Sequence, residues 1–383
     1  MEHGRYTLRV EGGFGSGSYA AGEVVHLWAE HDPLAAVHLR WSGDVDGVLR
    51  PGEWHTTLEM PARDVTLRSE QVPRAEVFRE GRFLGTRGTE KAFHWLTPPS
   101  PRAVLLLLHG TGSRSAFVEK VEPSSLALRF AHEGYAVVAP TSEASSTGDG
   151  GDALRWDTEL RADNVDFVDL AGLLGWLEET EGLPPELPLV ALGMSQGGGM
   201  AFALGALSAS PVARDHPRLA PVASIVMCSG ASVAYAATTT TPSLFLLCSN
   251  DMTRQDDAAA NRATLGERGI ASDLIRHEAA PLHPTRFARV PGIDEAASAD
   301  MRAELLAGGL LDAGGALAVS VDEVVATIRS APAAYPLLTS LGAGETAIQV
   351  QSQLQVAGAE HQFFSDLTAA ALRFVQDEGL WAR

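Results

Sequence analysis

The sequence predicts an α/β fold: a doubly wound, mostly parallel sheet with a helical cap insertion, preceded by a small N-terminal all-β unit. Three observations carry that expectation. From Arg102 onward, short apolar runs alternate with segments of helical periodicity, the rhythm of repeated strand–helix units. Residues 103–108 are apolar without a break, as a strand buried on both faces requires. Residues 189–192 form another such run, which stops at Gly193-Met194-Ser195-Gln196-Gly197 and gives way to an apolar helical stretch through Ala201, Phe202, Leu204 and Leu207.

The elements follow in order. Over residues 6–70, Tyr6, Leu8 and Val10 alternate with polar residues, a glycine-rich turn fills 12–19, and strand signals recur at 24–28, 38–41, 58–60 and 65–67. Short strands with turn chemistry between them make a small all-β unit over residues 1–72. Trp28, Trp41 and Trp54 either fill its core or form a face for sugar or polymer. Strands are expected at 77–84 and 92–96, then a rigid connector, Thr97-Pro98-Pro99-Ser100-Pro101.

The α/β part spans 73–383. Helices are expected at 126–132, 163–178 and 258–268, and strands at 135–139, 224–228, 243–248 and 273–278. Residues 281–356 break the rhythm and read as an insertion, with helices at 296–306, 321–328 and 335–341 and a hairpin around 312–319. A final helix is expected over 366–377.

Composition excludes several classes. Apolar residues make up 45% of the chain, enough for a large core, and a formal net charge of -19 argues against nucleic acid or anionic lipid as partner. No run is long and apolar enough to span a membrane. Cys228 and Cys248 end two apolar runs and read as buried hydrophobes, with a disulfide only if their strands are neighbours. The loop Gly148-Asp149-Gly150-Gly151-Asp152 lacks the ligand spacing of a calcium site, and no zinc spacing occurs. No metal and no cofactor is expected.

Strand, sharp turn and helix around Ser195 make a nucleophile elbow. Gly193 and Gly197 let backbone approach closely, and Gly198 and Gly199 let the helix pack under the sheet. An alcohol barely ionises at neutral pH, so Ser195 needs a base, and the base needs an orienting acid.

With these pieces assembled, the chain from about Arg102 to its end, less the insertion, resembles the α/β-hydrolase family. It is most similar to secreted-type esterases of the feruloyl esterase and polyhydroxyalkanoate depolymerase kind, on His109-Gly110-Thr111-Gly112, Arg155-Trp156 and Asn164-Val165-Asp166-Phe167-Val168. The family order of serine, acid and histidine implies Ser195, then Asp251 just past the strand at 243–248, then His361 before the last helix. Asp256 and Asp257 are the fallback acids and His283 the alternative base; His277 is expected to be structural. The resemblance places oxyanion donors at the backbone N–H groups of Gln196 and Thr111, makes His109 a scaffold for its loop, and offers Trp156 and Met194 as pocket residues.

The implied function is cleavage of carboxylic esters, bulky or polymeric, through an acyl-enzyme. A peptidase or amidase using the same triad, and a non-catalytic surface binding protein, are the alternatives. The N-terminal unit resembles the small β-repeat modules of bacterial surface and secreted proteins, on Tyr19, Gly22, Val25, Trp41-Ser42-Gly43-Asp44 and Met60-Pro61-Ala62-Arg63-Asp64-Val65-Thr66. That resemblance implies a spacer, or a binder of polymer or cell surface. It also implies secretion or a cell-surface location, although Met1-Glu2-His3-Gly4-Arg5 lacks the apolar core of a signal peptide; the cytoplasm is the alternative.

Overall fold

The structure, a computed structural model, describes residues 4–30, 32–33, 35–143, 154–251 and 255–380. The loop considered for calcium, 148–152, lies outside them.

Seven strands come first: β1 (Arg5–Glu11), β2 (Gly13–Phe14), β3 (Gly17–Ala20), β4 (Val24–Ala29), β5 (Ala36–Gly43), β6 (His55–Glu59) and β7 (Val65–Pro73). They form two sheets, ordered β3-β1-β7-β5 and β2-β4-β6, which enclose Leu8, Val25, Leu27, Trp41, Trp54, Leu58, Val65 and Leu67. Trp41 and Trp54 are therefore core residues, and Trp41 donates its indole N–H to the Glu53 carbonyl. Only Trp28 of the three tryptophans stays partly accessible, on the outer face of the smaller sheet.

The main sheet has eight strands. β8 (Arg79–Leu84) and β9 (Glu90–Leu96) are antiparallel at one edge. The other six are parallel: β10 (Ala103–Leu108), β11 (Tyr135–Ala139), β12 (Leu189–Met194), β13 (Ala223–Met227), β14 (Ser243–Cys248) and β15 (Ser272–His277). The order is β15-β14-β13-β12-β10-β11-β9-β8.

The strand side chains alternate between two cores. Leu105, Leu107, Val137, Leu192, Ile225 and Leu246 meet α1 (Val121–His132) and α10 (Thr368–Phe374) on one face. Val104, Leu106, Val138 and Ala191 meet α2 (Val165–Glu181) and α3 (Gln196–Leu207) on the other. Helices α4 (Val233–Ala236) and α5 (Gln255–Glu267) extend that second layer over Val226, Phe245 and Leu247. Two-sided burial is why these strands lack the polar alternation of the N-terminal ones.

The segment 281–356 carries α6 (Glu295–Ala307), α7 (Val321–Ser330), α8 (Pro336–Ser340) and most of α9 (Glu345–Ala357), packed around Leu282, Phe287, Met301, Leu305, Val324 and Leu354. The hairpin expected near 312–319 is reduced to one bridge, Leu311 to Leu317, because the Asp312 carboxylate closes the turn by accepting the N–H groups of Gly314 and Ala316. The last helix is shorter than expected: α10 ends at Phe374 and continues as a wider π-type turn, Val375–Leu380. No helix among the described residues is long and apolar enough to cross a membrane.

Candidate active site

Strand order reverses around β10: β11 lies on one side of it and β12 on the other. Loops leaving the carboxyl ends of β10 and β12 diverge there, which opens a crevice in sheets of this type. Ser195 stands at the end of β12, in that crevice.

The Ser195 backbone is strained, with φ 57 and ψ −119 at a non-glycine residue. Close contacts hold it there. A Cβ on Gly193 would lie 2.2 Å from the Gly197 carbonyl oxygen, and one on Gly197 would lie 2.3 Å from that of Leu108. A Cβ on Gly198 would press on Gly193 and Ser229 at 3.0 Å, whereas one on Gly199 would meet nothing within 4 Å. Gly198 thus serves helix packing, and Gly199 does not; it opens onto the crevice instead. The Ser195 N–H is held by the Met227 carbonyl at 2.9 Å, and the Gln196 N–H lies in the first turn of α3, where backbone donors have no intrahelical acceptor.

His361 follows α9 and donates from Nδ1 to Oδ2 of Asp251 at 2.6 Å. Asp251 is buried, just past β14, while the His361 ring is about two-fifths exposed. Bonding at Nδ1 fixes the tautomer and leaves Nε2 as the ring nitrogen able to accept a proton. Ser195 and His361 line one cavity of about 430 Å³, together with Gln196, Gly199, Cys228 and Tyr235. Of the fallback acids, Asp257 also lines this cavity from the first turn of α5, and Asp256 is exposed on the same turn.

Gly110, Thr111, Met194 and His109 lie close to the Ser195 turn. Gly110 sits against the elbow: a Cβ there would be 3.4 Å from Ser195 Cβ and 3.3 Å from Met194 Sδ. Thr111 follows it on an exposed turn, and Met194 packs toward the hydrophobic core beneath. His109 is fully buried; it donates from Nδ1 to the Gly110 carbonyl and accepts from the Ser142 N–H at Nε2, and burial pulls its pKa down to about 4. It is a neutral brace for the loop.

Trp156 does not line the cavity. It is buried against His109, donates its indole N–H to the His109 carbonyl at 2.8 Å, and offers its own carbonyl to the Gln196 side chain at 3.0 Å. Met194 is likewise absent from the cavity wall. His283 is not brought to Ser195 either: it lies against Phe14 and Trp28 of the N-terminal sheets, in a different cavity. His277 bonds the Val356 carbonyl and stacks on Phe364, a structural role.

Sequence reasoning missed Cys228, Ser229, Tyr235 and Thr158 as cavity residues. Cys228 was readable as a strand end; its positive φ of 47 was not. Cys228 and Cys248 are on neighbouring strands with Sγ atoms 3.4 Å apart, and both are free thiols. Among the described residues no cluster of His, Cys, Asp or Glu is arranged to hold a metal.

No family profile matches the sequence, and no curated protein does. Among solved structures, the chain is similar to brefeldin A esterase, described as a bacterial homologue of human hormone sensitive lipase (TM-score 0.36, 16% identity, 52% of this chain and 67% of that one). It is also similar to a ferulic acid esterase (TM-score 0.40, 12% identity, 53% and 90%). A third is S-formylglutathione hydrolase from Staphylococcus aureus (TM-score 0.38, 12% identity, 53% and 91%).

Proposed function

We propose that the protein is a serine hydrolase that cleaves carboxylic esters through an acyl-enzyme. The observation that carries this reading is the Asp251–His361 bond at 2.6 Å, with His361 and the strained Ser195 on the wall of one cavity. In this reading, His361 Nε2 removes the Ser195 proton as Oγ attacks the ester carbonyl. Asp251 keeps Nδ1 protonated and stabilises the imidazolium that forms. The backbone N–H groups of Gln196 and Thr111 hold the oxyanion, each worth about 3 kcal/mol by comparison with single-donor losses. The protonated His361 then hands its proton to the leaving alkoxide. Water, deprotonated by the same imidazole, releases the acid. No metal or cofactor enters this sequence of steps.

The helices of 281–356 form a cap in this reading, and the N-terminal sheets an accessory unit. The test is hydrolysis of p-nitrophenyl acetate and octanoate, beside matched anilides, by the wild type and by Ser195→Ala, His361→Ala and His283→Ala. Loss of ester turnover in the first two variants but not the third is the expected result. Turnover that survives Ser195→Ala overturns the reading, and turnover of the anilides alone makes the protein an amidase.

A further inference from the structure

A second cavity, of about 550 Å³, opens between the N-terminal sheets and the start of the 281–356 segment. Its size lies within the range of small-molecule sites. Phe14, His283 and Trp28 make one wall: the His283 ring lies 4.5 Å from Phe14 and 4.6 Å from Trp28, so three rings run side by side. Thr285 fixes the His283 orientation through a 2.8 Å bond to Nδ1.

Arg286 and Arg289 line the other side, each about 5–6% exposed. Both lean on the Trp54 ring and share the Glu122 carboxylate. Even so, the Nε–H of Arg286 and the Nε–H and Nη1–H of Arg289 find no hydrogen-bond acceptor among the described residues. Those nitrogens have essentially no accessible surface, so they are not open donors of the cavity wall. The rim carries carboxylates, Glu30, Asp294 and Glu295 among them.

These features select a ligand class. The rim carboxylates disfavour a pure hydrocarbon, which offers them no donor. The acidic rim disfavours anions. Aromatic faces beside planar guanidinium and carboxylate groups suit a molecule with both apolar C–H faces and many hydroxyls. The geometry points to this cavity as a binding site for a short stretch of neutral saccharide, distinct from the Ser195 cavity and independent of what Ser195 does. Rim carboxylates accept from the hydroxyls, and the aromatic wall packs on the ring face.

The test is calorimetric titration of the full chain with maltohexaose, cellohexaose and xylohexaose, beside the anionic hexagalacturonic acid. At least one neutral hexasaccharide is expected to bind with a Kd below about 1 mM. Trp28→Ala and, separately, Phe14→Ala are expected to weaken that binding by about tenfold or more. Both variants are checked for folding by circular dichroism, and the milder rim variant Glu295→Gln is measured alongside. Ser195→Ala is expected to bind as the wild type does. The inference is overturned if none of the three neutral sugars binds at about 10 mM, if the uronate binds best, or if folded Trp28→Ala and Glu295→Gln both bind as the wild type does. It is overturned as well if Ser195→Ala abolishes binding, which would place the sugar in the other cavity.

Discussion

Asn250 ties the loop that carries Asp251 to the loop that carries His361. Its backbone N–H donates to the Ala359 carbonyl at 2.9 Å, and its side-chain amide donates to the Gly358 carbonyl at 2.7 Å. Asp251 and His361 come from distant parts of the chain, so their 2.6 Å contact depends on how these loops register. Asn250 sets that register from one residue away. Ala359 completes the turn with a φ of 49, which a residue with a Cβ adopts only when its surroundings hold it.

Asp251→Asn tests the orienting role. An amide in place of the carboxylate favours the wrong imidazole tautomer, and the same change in a serine protease costs about 10⁴-fold in kcat. For this chain, kcat on p-nitrophenyl acetate should fall on the order of 10³- to 10⁴-fold, with KM changed little. Asn250→Ala should give a smaller loss, about 10- to 100-fold, since it loosens a position without removing a group. Wild-type turnover in Asp251→Asn would count against Asp251 and turn attention to Asp257.

The elbow glycines separate by geometry. Gly197→Ala drives a Cβ into the Leu108 carbonyl, where backbone cannot yield, so the variant should lose several kcal/mol or fail to fold. Gly199→Ala meets open space in the first turns of α3 and should raise stability by about 0.5–1 kcal/mol. Thermal melts of the two variants check both signs. Destabilisation by Gly199→Ala would mean that its face is covered.

Much of this was legible in the sequence because it is local. Strand, turn and helix at Ser195 lie within twenty residues, and two-sided burial writes itself as unbroken apolar runs at β10, β12 and β14. Helix α9 was missed: Val350, Leu354 and Ala357 keep helical spacing, but three glutamines between them, one buried at position 353, mask the pattern. Pairing was not legible where it is non-local. β1 runs parallel to β7 across more than fifty residues, and nothing in either strand announces the partner. The places of Trp156 and His283 were left open for a related reason. A lone aromatic residue near a motif carries no sign of which wall it faces, and only the packed structure puts Trp156 behind His109 and His283 against Phe14. Buried acids such as Glu53 and Glu122 read as surface residues for as long as their partners are unknown.

Glu122 holds three regions together. It accepts from Arg286 and Gln353 and from the N–H and hydroxyl of Ser365. Burial opposes its ionisation, but Arg289 and Arg286 outweigh it and keep the carboxyl below its usual range. Glu122→Ala leaves two buried guanidinium groups uncompensated and should cost about 3–5 kcal/mol. Denaturant unfolding checks the size. A cost under about 1 kcal/mol would mean that water reaches the cluster.

Glu53 predicts a pH dependence. It is buried, and its carboxylate accepts the N–H groups of Ala369 and Ala370 at the start of α10, joining the N-terminal sheets to the last helix. Burial raises its pKa from 4.5 to about 7, against the pull of those two N–H groups. The folded state therefore holds the proton more tightly than the unfolded one. Its contribution to stability is complete below pH 4.5 and is lost as pH rises through 7. At about 1.4 kcal/mol per pH unit, the loss is on the order of 3 kcal/mol. Glu53→Gln cannot ionise, so its stability relative to wild type should rise steadily between pH 4.5 and 7 and level off above. Denaturation midpoints of both proteins across that window measure the gap directly. A gap that stays constant with pH would show that Glu53 titrates alike in the folded and unfolded chains.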